Sequence, residues 1–417
     1  MLYRFAWVLM WVTFKIYFRR IDVIGLERIQ SNKPYILIAN HPASFLDAMV
    51  LAVFLKRDVH FYVRGDIFHH PVVYWILTQL HMIPIFGREH GMEHVGKNYS
   101  TFERGKKLLR AGDLLLIFPE GFSRLSKKIE PLKKGAARVA LQTAFEHEGV
   151  KDLTIQTIAI NYSHHGVRSD LFIRLGENFS LVPYKNLYEE SPARAVTELT
   201  HDILPYFERN IIHIQSSNRT LVAEKIISFI YNDYLEDTES FFDAARAVCK
   251  KIDDKIDSEY DAYVTRLNQY NAMLNSHGIM DRSLSKNKIQ HSMTILNLLL
   301  TIEIYVVGKA FWYLPGLITK WIADKTVTRI DFYTSVTSGV MAFVSLFWWL
   351  FWMVVVFNWN FIELKAILIL MPFFAYLTMR WEYDFVDIKS DFRFKKLSQE
   401  QPVLVNELEK LRNQLLA

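Results

Sequence analysis

SVTSGVMAFVSLFWWLFWMVVVF, residues 335 to 357, is 23 residues long and carries no charged side chain. As a helix it is long enough to span a hydrocarbon core of about 30 Å. It is the strongest membrane signal in the chain. A second apolar run, AILILMPFFAYLTM (366–379), is shorter and can pair with the first across NWNFIELK. Lys320, Lys325 and Arg329 precede the pair, Arg380, Lys389, Arg393, Lys395 and Lys396 follow it, and the turn carries only Lys365. Basic residues favour the cytoplasmic side of a membrane, so both outer ends are expected there and the pair reads as a helical hairpin. ILNLLLTIEIYVVGKAFWYLPGLI (295–318) contains Glu303 and Lys309. It is open to two readings, a third span or an interfacial helix. The N-terminal MLYRFAWVLMWVTFKIYFRR is broken by Arg4 and Lys15, and no small-residue cleavage site follows it. Its aromatics and basic ends suit a helix lying in the membrane interface. A single spanning helix and a buried core helix are the alternatives.

The remainder is not that of a polytopic transporter. Mean hydropathy is only +0.08, which fits a soluble-like body with membrane segments attached. With 417 residues the chain has room for two or three domains and a sizeable core. The formal charge of +5 is mild. It fits a phosphate-rich surface and gives no argument for a nucleic-acid partner. Cys249 is the only cysteine. Intrachain disulfides and CxxC metal sites are therefore excluded, and a reducing compartment suits the chain.

Residues 34 to 180 alternate short apolar runs with longer amphipathic ones. PYILIA (34–39), VHFYV (59–63), MIPIF (82–86), DLLLIF (113–118) and LTIQTIAINY (153–162) read as strands. Segments 44–55, 67–80, 98–111 and 134–148 read as helices. Such alternation predicts an α/β fold with a mainly parallel sheet flanked by helices. In these sheets ligands bind beyond the carboxyl ends of the strands. His41, Arg88 and Glu120 each stand just past a predicted strand end. From about 191 to 290 the chain is helical and charged with no catalytic motif, and 396–417 is a polar amphipathic helix. There is no internal repeat.

IANHPASFLDAMVL (38–51) places an Asp six positions after a His. On one straight helix they would stand about 240° apart and share no face. A working pair needs His41 on the turn leaving the strand and Asp47 within the helix, and Pro42 favours such a break. The carboxylate would then fix one imidazole nitrogen and leave the other to take a proton. Alone, the pair is as well explained by chance proximity. In IPIFGREHG (83–91), Arg88 follows a strand, where it is either a phosphate grip or a surface ion pair. LLLIFPEGFSR (114–124) runs a strand into a turn that exposes Glu120, with Gly121 allowing close backbone approach and Ser123 and Arg124 adding polar reach. The bland reading is an ordinary turn with a solvated Glu. PLKKGAARVAL (131–141) presents Lys133 and Lys134 before a small-residue helix start, a combination that favours an anion.

Together these stretches resemble the glycerophospholipid acyltransferases, which include glycerol-3-phosphate and 1-acylglycerol-3-phosphate acyltransferases. The resemblance covers about residues 30 to 180, in four ordered blocks: NHPASFLD, IPIFGR, FPEG and the apolar strand IQTIAINY. It implies that His41 is the catalytic base and Asp47 its partner. It also implies that Arg88 binds the acceptor's phosphate and that Glu120 and Gly121 position the acceptor, with Arg124 and Lys134 as further phosphate contacts. There are departures. Most members place one residue fewer between His and Asp. The His-Pro start with the longer spacing, and FYVRGDIFHHP (61–71), are similar to a subgroup in yeast and bacteria that acts on glycerol 3-phosphate or dihydroxyacetone phosphate. The fourth block has Gln156-Thr157 where a Pro is usual, and Phe122-Ser123-Arg124 replaces the usual Thr-Arg-Ser.

The resemblance implies acyl transfer from acyl-CoA or acyl carrier protein to a hydroxyl of glycerol 3-phosphate or 1-acylglycerol 3-phosphate, in phospholipid biosynthesis. The thioester is already activated, so the expected reaction needs no metal and no cofactor beyond that cosubstrate. The lone cysteine lies outside the motif region, which argues against a Cys nucleophile. Expected partners are membrane lipids, the thioester donor and the glycerol-phosphate acceptor. The catalytic domain is expected on the cytoplasmic side of a bacterial inner membrane or the endoplasmic reticulum. Two rivals stand beside this reading. One is a metal-dependent phosphoesterase using His41, Asp47 and His164-His165; the other is a membrane-anchored lipid- or phosphate-binding protein with an inactive site. The expected divisions are an interface helix (1–20), an acyltransferase domain (21–215), a charged helical region (216–290), membrane helices (291–380) and a cytoplasmic tail (381–417).

Overall fold

A computed structural model describes residues 1–86, 98–124, 127–146, 149–163, 166–235, 237–286 and 291–417, with the side chains at 98, 99, 330 and 331 left aside. Its centre is a seven-stranded sheet. The strands are β1 (Arg20–Ile24), β2 (Tyr35–Ala39), β3 (Val59–Arg64), β4 (Met82–Ile85), β5 (Leu114–Ile117), β6 (Thr154–Tyr162) and β7 (Asp170–Ser180). They lie in the order β1-β7-β6-β2-β5-β3-β4. The pairs β6–β2, β2–β5, β5–β3 and β3–β4 are parallel, β6–β7 is antiparallel, and β1 runs parallel to β7. The predicted parallel sheet is thus extended at one edge by two reversed strands.

β2 shows why the sheet is covered on both faces. All five of its residues are buried, and they alternate as the pleat requires. Tyr35, Leu37 and Ala39 join one core with Phe14, Leu46, Val50 and Leu51, whereas Ile36 and Ile38 join another with Ala136, Ala140 and Leu199. The first face is covered by helices α1 (Leu2–Tyr17) and α2 (Phe45–Phe54). The expected helix over 67–80 is a 3-10 turn followed by α3 (Pro71–Gln79), because Pro71 takes the first helical position. The second face is covered by α4 (Asn98–Arg110), α5 (Gly135–Phe145) and, after the short α6 (Lys185–Glu190), α7 (Pro192–Glu208).

The charged stretch folds into α8 (Thr220–Asp233), α9 (Thr238–Asp254) and α10 (Asp257–His277) around a core of their own, which meets the sheet at Phe172 of β7. Next come α11 (His291–Leu300) and α12 (Ile302–Thr326), bent by 59° at their junction. Then follow α13 (Ile330–Phe357) and α14 (Ile362–Glu400). α13 and α14 are long and apolar enough to cross a membrane; the bent pair makes a third span if counted as one. Tryptophans tie the three helices together. Trp312 Nε1 donates to Met371 O at 3.0 Å, Trp348 Nε1 to Phe311 O at 3.0 Å and Trp349 Nε1 to Leu368 O at 2.7 Å. α14 runs far beyond its apolar part, and the chain ends in α15 (Pro402–Leu416), whose Leu408, Leu411 and Leu415 pack among α8 to α10.

Candidate active site

The sheet order brings three of the motif strands side by side. β6, β2 and β5 are consecutive neighbours, and their carboxyl ends open on one rim. His41 leaves β2, Glu120 follows β5, and Tyr162 ends β6. Asn40 fastens the rim: its side-chain amide donates to Ile160 O at 2.9 Å and its Oδ1 accepts from Ile160 N at 2.7 Å.

His41 stands on the turn and Asp47 in the first turn of α2. His41 Nδ1 lies 2.9 Å from Asp47 Oδ2. The same oxygen accepts from Ala43 N at 2.7 Å, and Oδ1 accepts from the Tyr162 hydroxyl at 2.8 Å. Asp47 is fully buried, and three hydrogen bonds satisfy its oxygens out of water. Tyr162 is buried beside that carboxylate, and both effects hold its phenol protonated, hence a donor. With Nδ1–H given to Asp47, the imidazole lone pair is on Nε2. The His41 ring, 18% exposed, stacks on Phe118 at 3.9 Å between centroids and lines the cleft.

Glu120 lies beneath. Its Oε1 accepts the His41 main-chain N–H at 3.1 Å. Burial pushes its carboxyl up to about 7, against the pull of that hydrogen bond. Gly121 closes the turn, donating to Phe118 O at 3.1 Å with φ of +73°, a conformation costly for any residue with a Cβ. Lys133 lies over this glycine: a Cβ there would meet its Nζ at 2.5 Å.

The expected site residues divide. His41, Glu120 and Arg124 line one cleft with Asn40, Lys127 and Lys128, and Asp47 stands directly behind His41. Arg124 is also paired with Glu130 at 2.9 Å. Lys134 does not reach the cleft; its Nζ donates to Thr197 of α7 at 2.9 Å. Arg88 and the His164-His165 pair lie outside the described residues. Among the described residues no group of three or more His, Cys, Asp or Glu side chains is placed to hold a metal ion. Sequence reasoning missed Tyr162, Asn40, Lys127 and Lys128. The signal for Tyr162 was a polar tip at the end of a buried strand; Lys127-Lys128 begins three residues beyond Arg124 in a segment with no periodicity.

A family model described as Acyltransferase matches residues 20–161. That span contains the first three motif blocks and strands β1 to β5 whole, and all of the fourth block and of β6 but their last residue, Tyr162. The chain is 29% identical over 136 residues to the chloroplastic 1-acyl-sn-glycerol-3-phosphate acyltransferase BAT2 of Brassica napus, a match covering 32% of this chain and 38% of that protein. It is 32% identical over 132 residues to a 1-acyl-sn-glycerol-3-phosphate acyltransferase of Chlamydomonas reinhardtii, covering 31% and 37%. The chain therefore spans well under half the length of these curated relatives. The crystal structure of the 1-acyl-sn-glycerophosphate (LPA) acyltransferase PlsC from Thermotoga maritima aligns with a TM-score of 0.31 and 21% identity, over 44% of this chain and 73% of that one. The likeness to the acyltransferase family is carried by residues 20–161, about a third of this chain.

Proposed function

We propose that this protein is a membrane-bound O-acyltransferase that moves a fatty acyl group from an acyl thioester to the free hydroxyl of 1-acylglycerol 3-phosphate. The observation that carries the reading is the His41 imidazole, held at Nδ1 by a buried carboxylate while the ring lines a cleft rimmed with cations. His41 Nε2 takes the proton from the acceptor hydroxyl as the oxygen attacks the thioester carbonyl. Asp47 holds the tautomer and stabilises the imidazolium that forms. The proton then passes from Nε2 to the leaving thiolate. Lys127 and Lys128, with Arg124 and Arg88, take the acceptor's phosphate and set its hydroxyl beside the donor. The family's relatives named as acting on 1-acylglycerol 3-phosphate support that acceptor over glycerol 3-phosphate. The donor is an acyl-CoA or an acyl carrier protein thioester.

Two apolar helices support membrane residence, and the basic residues flanking them support a cytoplasmic catalytic domain. The test uses the full chain in detergent with a labelled acyl thioester and both acceptors. Product is expected from wild type, with 1-acylglycerol 3-phosphate preferred. The rate is expected to fall by about 10²–10⁴-fold in His41→Ala, with a large loss also in Asp47→Asn. Equal product from wild type and His41→Ala would end this reading.

A further inference from the structure

α2 begins without a cap of its own. Ser44 occupies the N-cap position, yet its side chain makes no capping hydrogen bond, and its backbone is held at φ of 53° and ψ of −130°. That is a strained conformation for a residue with a Cβ, and it persists only where the surroundings impose it. Two neighbours do so here. Ser123, from the loop after β5, accepts Ser44 N–H on its Oγ at 2.8 Å. The other neighbour comes from the apolar helix α13. Ser335 Oγ accepts from Leu46 N at 3.2 Å and donates to Ala43 O. Leu46 N–H is the second amide of α2, a donor that an N-cap side chain ordinarily satisfies. Here it is shared between Ala43 O at 3.2 Å and the Ser335 hydroxyl, 289 residues further along the chain, which takes part of the cap's role.

The contact is built into the packing. Thr334, Ser335, Ser338 and Ala342 of α13 are buried, Ser335 to 3% exposure. From Phe343 onward the same helix exposes Phe347, Leu350, Phe351 and Val354. α13 thus has a polar, small-residue foot against the catalytic turn and an apolar shaft beyond it. Just before this foot, Arg329 donates to Ser123 O at 3.3 Å, so the same segment touches both props of the strained residue.

We propose that Ser335 is a positioning residue for the His41–Asp47 pair, and that the membrane helix carrying it is a working part of the active site as well as an anchor. This rests on the acyl-transfer reading above. Ala43 shows the coupling: its N–H goes to Asp47, and its C=O accepts from both the Ser335 hydroxyl and Leu46 N–H, so a shift of this residue moves the carboxylate that orients His41.

The experiment compares the full-length protein with Ser335→Ala, Ser335→Thr, Ser338→Ala and His41→Ala in the same detergent micelles, reading kcat and KM for both substrates. Ser338 is fully buried on the same helix, and its hydroxyl donates to Ser335 O within that helix at 3.0 Å. Ser335→Ala is expected to lower kcat about 10- to 100-fold with both KM values unchanged, the size of loss that small misplacement of a catalytic group produces. Ser335→Thr recovers most of it and Ser338→Ala stays near wild type. A Ser335→Ala enzyme with wild-type kcat overturns the proposal, as does a loss confined to KM, one matched by Ser338→Ala, or one that Ser335→Thr fails to restore. Should His41→Ala also turn over like wild type, the acyl-transfer reading itself falls; His41→Ala inactive beside an unaltered Ser335→Ala removes only the role given to Ser335.

Discussion

Glu120 accepts the main-chain N–H of His41 from a buried position, and burial holds its carboxyl up to about 7, well above the ordinary 4.5. In the unfolded chain the group ionises near 4.5, so the folded state binds the extra proton between those values. Stability from this group is complete below pH 4.5 and is lost as pH rises through about 7. Glu120→Gln keeps an oxygen acceptor for His41 N–H and removes the titration. The melting temperature of the variant, relative to wild type, is expected to climb between pH 4.5 and 7 and then level off, measured by thermal unfolding in detergent. A difference that does not change with pH would show Glu120 ionising as in water. A Glu120 that is about half protonated at neutral pH also lessens the negative charge that an incoming phosphate meets beside Asp47. At this scale the sequence made the pair and the FPEG glutamate legible, because a turn residue after an apolar strand has few places to go. Tyr162 was hidden for the opposite reason. Its partner is 115 residues away, and nothing local distinguishes a phenol that holds a carboxylate from one that fills a core.

Elements were legible where one physical signal decided them. The five central strands and the helices between them follow apolar runs and their periods, and the observed bounds differ from the expected ones by a residue or two in β2, β4, β5 and α2. β1 and β7 were not seen. RIDVI alternates polar and apolar residues over only four positions, too short a run to stand out, and DLFIRLGENFS carries charges through its middle. α14 continues to Glu400 because spaced charges do not stop a helix, and Pro402 starts the next one. The N-terminal helix α1 shows a device that no periodicity reveals. Tyr3 stacks on His81 at 4.1 Å and His81 on His60 at 4.4 Å, while the Tyr3 hydroxyl accepts from Val59 N at 3.3 Å. This stack clamps α1 to the amino edge of β3 and β4. Burial holds the His60 imidazole down to about 4 and lowers His81 as well; Asp58 and Asp113 oppose this and Arg104 adds to it at both rings, with Arg4 adding at His81 and His81 itself at His60. The unfolded chain protonates first, so stability is present above pH 6.5 and falls as pH drops toward 4. Hydrogen-exchange protection across residues 2–17, taken relative to the intrinsic rate at each pH, is expected to fall on acidification through that window, and His60→Phe, which keeps a ring in the stack, is expected to shrink the effect. The same pH response in both proteins would acquit the stack.

At the scale of the whole molecule, the helical region is closed by its last helix. α15 closes the core formed by α8, α9 and α10, and that core meets the sheet through Phe172. Inside it, Arg412 Nε lies 2.8 Å from Asp281 Oδ1 and its Nη1 3.0 Å from Asp233 Oδ2, with all three side chains no more than 6% exposed. Tyr270 adds a donor to Asp281 at 2.7 Å. The charges come from α8, from the turn after α10 and from the final turns of the chain, so none is paired until the helical region has assembled. Such a triad contributes little net stability when complete, because desolvation offsets attraction, but breaking it strands two buried carboxylates. Arg412→Met, which fills similar volume without the charge, is therefore expected to cost roughly 3–5 kcal/mol, read by denaturant unfolding followed at the helical region. Neutralising the acids in the same chain, with Asp233→Asn and Asp281→Asn, is expected to recover part of the loss, since the penalty is one of unpaired charge. If Arg412→Met alone is as stable as wild type, the triad does not hold the helical region. If the triple variant is no better than the single one, packing of the guanidinium stem, and not charge, is what closes the fold. The assembly order also bears on the site. α14 enters this same core through Leu397 after leaving the apolar helix bundle, so the helical region tethers the end of the hairpin whose other helix touches the turn after His41.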